Sequence, residues 1–182
     1  MRHIETKAEE LLKEFGMDKA PIKPERIAKK LNINYSYTDL GDNVSGVLVV
    51  QNSKAKIGIS NSDSEVRQNF SFAHEIAHYM LHTDLKNEKE QKLFVDDLQV
   101  MFRKNNSSRK EMMQEREANA YAAALLMPSD LIEVEFKRFL NRNKRASEDE
   151  LIFKLSKKFK VSEIAMTYRL INLGYFNHRR IY

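Results

Sequence analysis

The chain has 182 residues, 42% of them hydrophobic and none of them cysteine, enough for one compact domain with a core of its own. The missing cysteines exclude a disulfide framework, a cysteine-ligated zinc and a thiol nucleophile, and they fit a reducing, cytoplasmic setting. The net charge of +5 is uneven: residues 1–100 carry 14 basic and 16 acidic side chains, residues 101–182 carry 17 and 10. A basic second half suits a polyanionic partner, or a solvated lysine-rich surface. The first sixteen residues are charged and lack an apolar signal core. No apolar run nears the roughly 20 residues that span a bilayer, so no membrane role is expected.

In chain order, residues 4–15 read as an amphipathic helix ended by Gly16, and Pro24 fits the first turn of a second helix. "INYSY" reads as a strand. "VSGVLVV" and "KIGIS" read as a hairpin turning near Asn52-Ser53. "SDSE" at 62–65 has the form of a capping box, with Ser62 as cap and Glu65 reaching back, for a helix running to about Leu81. Residues 83–99 are charged and show no clear period; "QVMFR" suits a strand and "KNNSSRK" a loop. A helix is expected from about Met112 to Pro128, then one capped by Ser129 and ending near Leu140. After the basic linker "NRNKRAS", "SEDE" at 147–150 forms a second capping box opening a helix to Phe159. A last helix starts at "VS", 161–162, and ends at Gly174. There are no internal repeats.

The stretch that carries chemistry is "FAHEIAHYMLH", residues 72–82. Residues four apart share a helix face, so the imidazoles of His74 and His78 can converge on one cation. Glu75 is rotated from them by about 100°, where it can take a proton from a water without occupying a coordination position. The alternative is two structural histidines with a surface glutamate. A catalytic zinc takes three protein ligands and leaves one position open. His82 lies about 12 Å along the axis from His74, too far to share the ion. Asp84 would serve only if the chain turned sharply near Leu81. The second helix, "EREANAYAAALLMP", offers Glu115 and Glu117. Glu115 shares a stripe with Ala118, Asn119, Ala122 and Leu126, whose small residues permit close packing. Asn119, one turn on, suits the partner that a ligating imidazole needs for its other N–H. Glu117 points about 200° away from Glu115. This favours Glu115, with Glu117 the alternative, and an acidic first turn serving the helix dipole the bland account of both.

These linked motifs resemble the ImmA/IrrE family of zinc metallo-endopeptidases. So do "LLMP", the C-terminal "KLSKKFKVSEIAMTYRLINLGYF" and the early "ERIAKKLNI" followed by strands. The resemblance implies an α+β fold: a zincin-like metallopeptidase core with a small N-terminal β-sheet over residues 1–140, and a C-terminal helical hairpin over 146–182 resembling a helix-turn-helix. It implies a cytoplasmic, Zn²⁺-dependent, site-specific endopeptidase that cleaves a helix-turn-helix repressor and derepresses genes of a phage, mobile element, stress or defence system. The family pattern falls on His74, His78 and Glu115 as ligands, Glu75 as base and Asn119 behind the ligands. Tyr121 stands where the family more often has Phe. The 36 residues between His78 and Glu115 are long for the family and mark an insertion or lid. The alternative of another class is a non-catalytic DNA-binding regulator with a vestigial metal site.

Two further expectations concern partners. An extended substrate is expected to add to the edge of the 44–60 hairpin. Tyr121, Tyr168 and His178 are hydrogen-bond donors without an assigned catalytic role. Basic residues crowd the second half: Lys137, Arg138, Arg142, Lys144 and Arg145, then Lys154, Lys157, Lys158 and Lys160, then Arg169, Arg179 and Arg180. Lys154, Lys157 and Lys158 fall on one helix face at i, i+3 and i+4. That face predicts weak, sequence-independent DNA binding, single-stranded DNA included, that stimulates cleavage. The bland alternative is solubility, or steering of an acidic repressor.

Overall fold

The structure, a computed structural model, describes residues 2–84, 91–97, 108–144 and 146–176. The expected elements at 99–103 and most of 104–110, and the residues Arg145, His178, Arg179, Arg180 and Tyr182, lie outside that set. Among the described residues the fold is α+β, seven helices and one four-stranded sheet. The N-terminal half gives α1 (Arg2–Glu14), α2 (Pro24–Lys30), β1 (Asn34–Thr38), β2 (Val44–Gln51), β3 (Lys54–Ser60) and α3 (Glu65–His82). There follow β4 (Gln91–Asp97), α4 (Arg109–Leu126), α5 (Ser129–Arg142), α6 (Glu148–Phe159) and α7 (Glu163–Asn172).

The sheet order is β1-β3-β2-β4. β2 and β3 form the expected hairpin; Asn52 and Ser53 both take positive φ, as a tight primed turn requires. β1 pairs in parallel with β3, and β4 pairs antiparallel with β2, Phe94 opposite Leu48. Both edges of the hairpin are therefore already paired, and the expected substrate position on it is closed. Alternation sends Leu48, Val50, Ile57 and Ile59 to one face, where Phe72 and Ile76 of α3 join them in the main core. α4 packs along the other side of α3, which the small side chains Ala118 and Ala122 permit.

A second apolar cluster joins Ala73 of α3 and Ala122 and Leu126 of α4 to Leu151, Leu155, Phe159, Met166 and Leu170 of the last two helices. Arg169 is buried there. Its Nε donates to the Met127 carbonyl at 2.9 Å and its Nη1 to Glu5 of α1 at 2.7 Å. This places Arg169 in the interior, outside any basic surface.

The helix starts differ in instructive ways. α3 is capped by Ser64, which accepts from the Arg67 N–H, and not by Ser62, whose hydroxyl bonds Ser60. Glu65 consequently does not reach back, and pairs with Lys160. α4 begins three residues before Met112, in a full capping box of Ser108 and Glu111. Ser129 is not a cap but the first residue of α5, with its N–H and hydroxyl both donated to Glu9 of α1. The Ser147–Glu150 box forms as expected, and the last helix starts where expected, after Ser162, whose side chain caps it.

Candidate metal centre

α3 is buried without a break from Ser71 to Tyr79. A surface helix buries one stripe; this one is enclosed by the sheet on one side and α4 on the other. His74 and His78 are each 2% exposed and Glu75 is fully buried. The i, i+4 spacing brings the Nε2 atoms of His74 and His78 to 3.0 Å of each other. Glu115 of α4 places one carboxylate oxygen 3.3 Å from the His74 Nε2 and the other 3.5 Å from the His78 Nε2. Ligand bonds of 2.0–2.2 Å in a tetrahedral site imply ligand–ligand edges of roughly 3.3–3.6 Å, which the two histidine–glutamate distances match and the histidine–histidine distance falls slightly short of. The three residues form a group whose ligand atoms lie within 4.8 Å of one another.

The surroundings fit a cation. Asn119 Oδ1 lies 3.1 Å from the His74 Nδ1. An amide oxygen only accepts, so Nδ1 carries the proton and Nε2 keeps its lone pair for a metal. The His78 ring stacks on Phe94 of β4, centroids 4.4 Å apart. Glu75 has no hydrogen-bond partner for either carboxylate oxygen among the described residues. Burial, followed by the nearby carboxylates of Asp96 and Glu115, holds its carboxyl well above the usual range. The Nε2 atoms of His74 and His78 and the Glu115 carboxylate converge beside the buried Glu75 carboxyl. A cation bound there would accept a lone pair from each of the three groups.

β4 grips α3 at three levels with its inward side chains. Lys92 Nζ donates to the His82 carbonyl at the helix end, Phe94 covers His78, and Asp96 accepts both bonds from Arg67 at 3.0 and 3.1 Å. Arg67 also donates to Ser45 of β2 at 3.0 Å. Gly46 of β2 lies against the general-base candidate: a Cβ there would stand 3.0 Å from Glu75 Oε1 and 3.2 Å from its Cγ. Phe94, Arg67, Asp96 and Gly46 were not singled out from the sequence. Only Gly46 left a signal, a glycine inside a strand pattern, which marks close approach of another group.

The remaining candidates fall elsewhere. His82 donates to the Gln114 carbonyl at 3.1 Å and lies 3.9 Å from Glu117, and both residues stand outside the ligand group. Burial lowers the His82 pKa. Asp84 is exposed and also outside that group. The Tyr121 hydroxyl is buried with no partner among the described residues, and burial raises its pKa. Tyr168 is exposed on α7. Of the three lysines, Lys154 and Lys158 line one cleft between α5 and α6, while Lys157 sits over the Phe153 ring, 5.3 Å from its centroid.

A pair of helix-borne histidines, a carboxylate from a second helix and a buried glutamate, set in an α+β fold, is the composition of a metallopeptidase. The family model Peptidase_M78, the IrrE N-terminal-like domain, matches residues 28–171. The chain belongs to that family. A search of curated proteins finds no match. Among solved structures, the chain is similar to a Mycobacterium tuberculosis transcriptional regulator, with a TM-score of 0.60 and 15% identity. The match covers 93% of this chain and 46% of that one, so the chain spans just under half of that protein's length. At this identity the likeness concerns the fold alone.

Proposed function

We propose that the chain is a zinc-dependent, site-specific endopeptidase that cleaves a helix-turn-helix repressor and so releases the genes it silences. The proposal includes a zincin-like peptidase unit over residues 1–140 and a helix-turn-helix-like pair made by α6 and α7. The observation that carries it is the convergence of His74, His78 and Glu115 beside a fully buried Glu75 that has no hydrogen-bond partner among the described residues. Family membership supports the peptidase class.

His74, His78 and Glu115 would hold the ion, and zinc supplies a Lewis acid and lowers the pKa of a water to about 7. Glu75 takes the proton of the attacking water and delivers it to the leaving amine, so the peptide bond gains one water across it. Asn119 fixes the tautomer of His74, and Phe94 fixes the plane of the His78 ring. Glu115, with its side chain 38% exposed, marks the open side of the centre. An extended substrate would pair with the outer edge of β4, which has no partner strand among the described residues.

The second reading is a DNA-binding regulator whose metal site is vestigial; the basic second half favours it. A purely structural site needs no buried base beside it and closes its fourth position with another ligand. Incubating the zinc-loaded chain with helix-turn-helix repressors encoded nearby separates the two. Cleavage by the native chain and none by Glu75→Gln is expected. Equal cleavage by both, or none by either with zinc bound, would favour the regulator.

A further inference from the structure

α5 and α6 leave the 143–147 connection as the two walls of a cleft of about 380 Å³. Arg138 and Arg142 stand one turn apart on the α5 wall, and Lys154 and Lys158 one turn apart on the α6 wall. Two cationic rails therefore face each other. One carboxylate lines the cleft, Glu135, and it is bound to Arg138. Among the described residues Arg142, Lys154 and Lys158 have no ion-pair partner, whereas Lys137, Lys160 and Arg169 outside the cleft each have one. Between the rails lie the half-buried Phe139 and the buried Leu155.

We propose that this cleft is a binding site for a nucleoside polyphosphate. The four cations less Glu135 leave a surplus of three positive charges, which suits a ligand carrying two or three phosphates. Guanidinium forks on one wall match phosphate geometry, and ammonium groups opposite serve as point charges. The half-buried Phe139 offers one apolar surface for one base, with Leu155 buried beside it. A nucleic-acid strand would call for successive aromatic platforms. Here there is one ring; the neighbouring Phe153 is exposed and occupied by Lys157. The volume falls in the range of small-molecule pockets. The site stands apart from the metal centre and rests on no part of the peptidase proposal. A ligand bridging the two walls ties α5 to α6 across their connection, which raises the melting temperature.

The test is titration of fluorescently labelled ATP into the full zinc-loaded chain at about 50 and 200 mM salt, with Tm read in parallel. Binding that weakens with salt is expected. Lys154→Glu/Lys158→Glu should weaken it by about tenfold or more, as loss of charge-assisted bonds does, and Lys157→Glu by no more than about twofold. Arg142→Gln, with a milder change at the opposite wall, should also weaken binding and covers the case in which the double variant fails to fold. Absence of ATP binding at low salt would overturn the proposal. So would an equal loss in Lys157→Glu, or a short oligothymidine that binds through these residues while unlabelled ATP fails to displace it.

Discussion

The candidate metal centre and the α5–α6 cleft gather charged and polar groups in opposite ways. At the centre His74, Glu75 and His78 are at most 2% exposed, and their surroundings are set by Asn119, Phe94 and Gly46. In the cleft the four cations are exposed side chains on two helix surfaces. Buried, interlocked groups cannot relax when one is removed, so each change at the centre should cost much. Exposed charges relax and are screened by salt, so changes in the cleft should cost little apiece. The comparison separates a buried, interlocked group suited to chemistry from an exposed one suited to adjustable binding.

The largest expected effect is metal removal. A chelator should abolish repressor cleavage, and added zinc should restore it, measured by gel assay before and after reloading. Next, Glu75→Gln should lower turnover by about 10²–10⁴-fold while zinc content and melting temperature hold. Near-normal turnover would take Glu75 out of the base role.

Smaller again, Glu115→Ala should weaken zinc binding far more than Glu117→Ala, because Glu117 lies toward His82, outside the ligand group. A reversed ranking in competition with a zinc indicator would mean that the α4 face has been assigned wrongly. Removing the groups behind the ligands should cost less than removing a ligand: Asn119→Ala should reduce zinc affinity by about 10–100-fold. Phe94→Ala should follow it in direction and Phe94→Tyr should rescue, since a ring is what His78 stacks against. The smallest effect at the centre is expected from Gly46→Ala. Its Cβ must push Glu75 by a few tenths of an ångström, enough to slow turnover by about tenfold or less without loss of zinc.

What could be read from the sequence follows from which partners are local. The convergence of His74 and His78, and the stripe joining Glu115 to Asn119, are i, i+4 relations within single helices, and the structure brings all four side chains together. The Ser147 and Ser162 caps are local too, and both form. Ser129 is different: its N–H goes to Glu9, 120 residues away, and no local pattern reveals that. β4 escaped for a related reason. Its inward residues, Lys92, Phe94 and Asp96, are held by the His82 carbonyl, the His78 ring and Arg67, so the buried face of the strand reads as charge rather than as an apolar alternation. Ser62 and Ser64 both precede α3, and the choice between them was made by Ser60, which engages Ser62 from β3.

The most direct test of the central claim is the zinc content of the purified chain after loading and desalting, compared with His74→Ala and His78→Ala. About one zinc per native chain, and none retained by either variant, is the predicted result. A native chain that leaves the column without zinc, or a variant that keeps it, would contradict a metal centre built on these histidines.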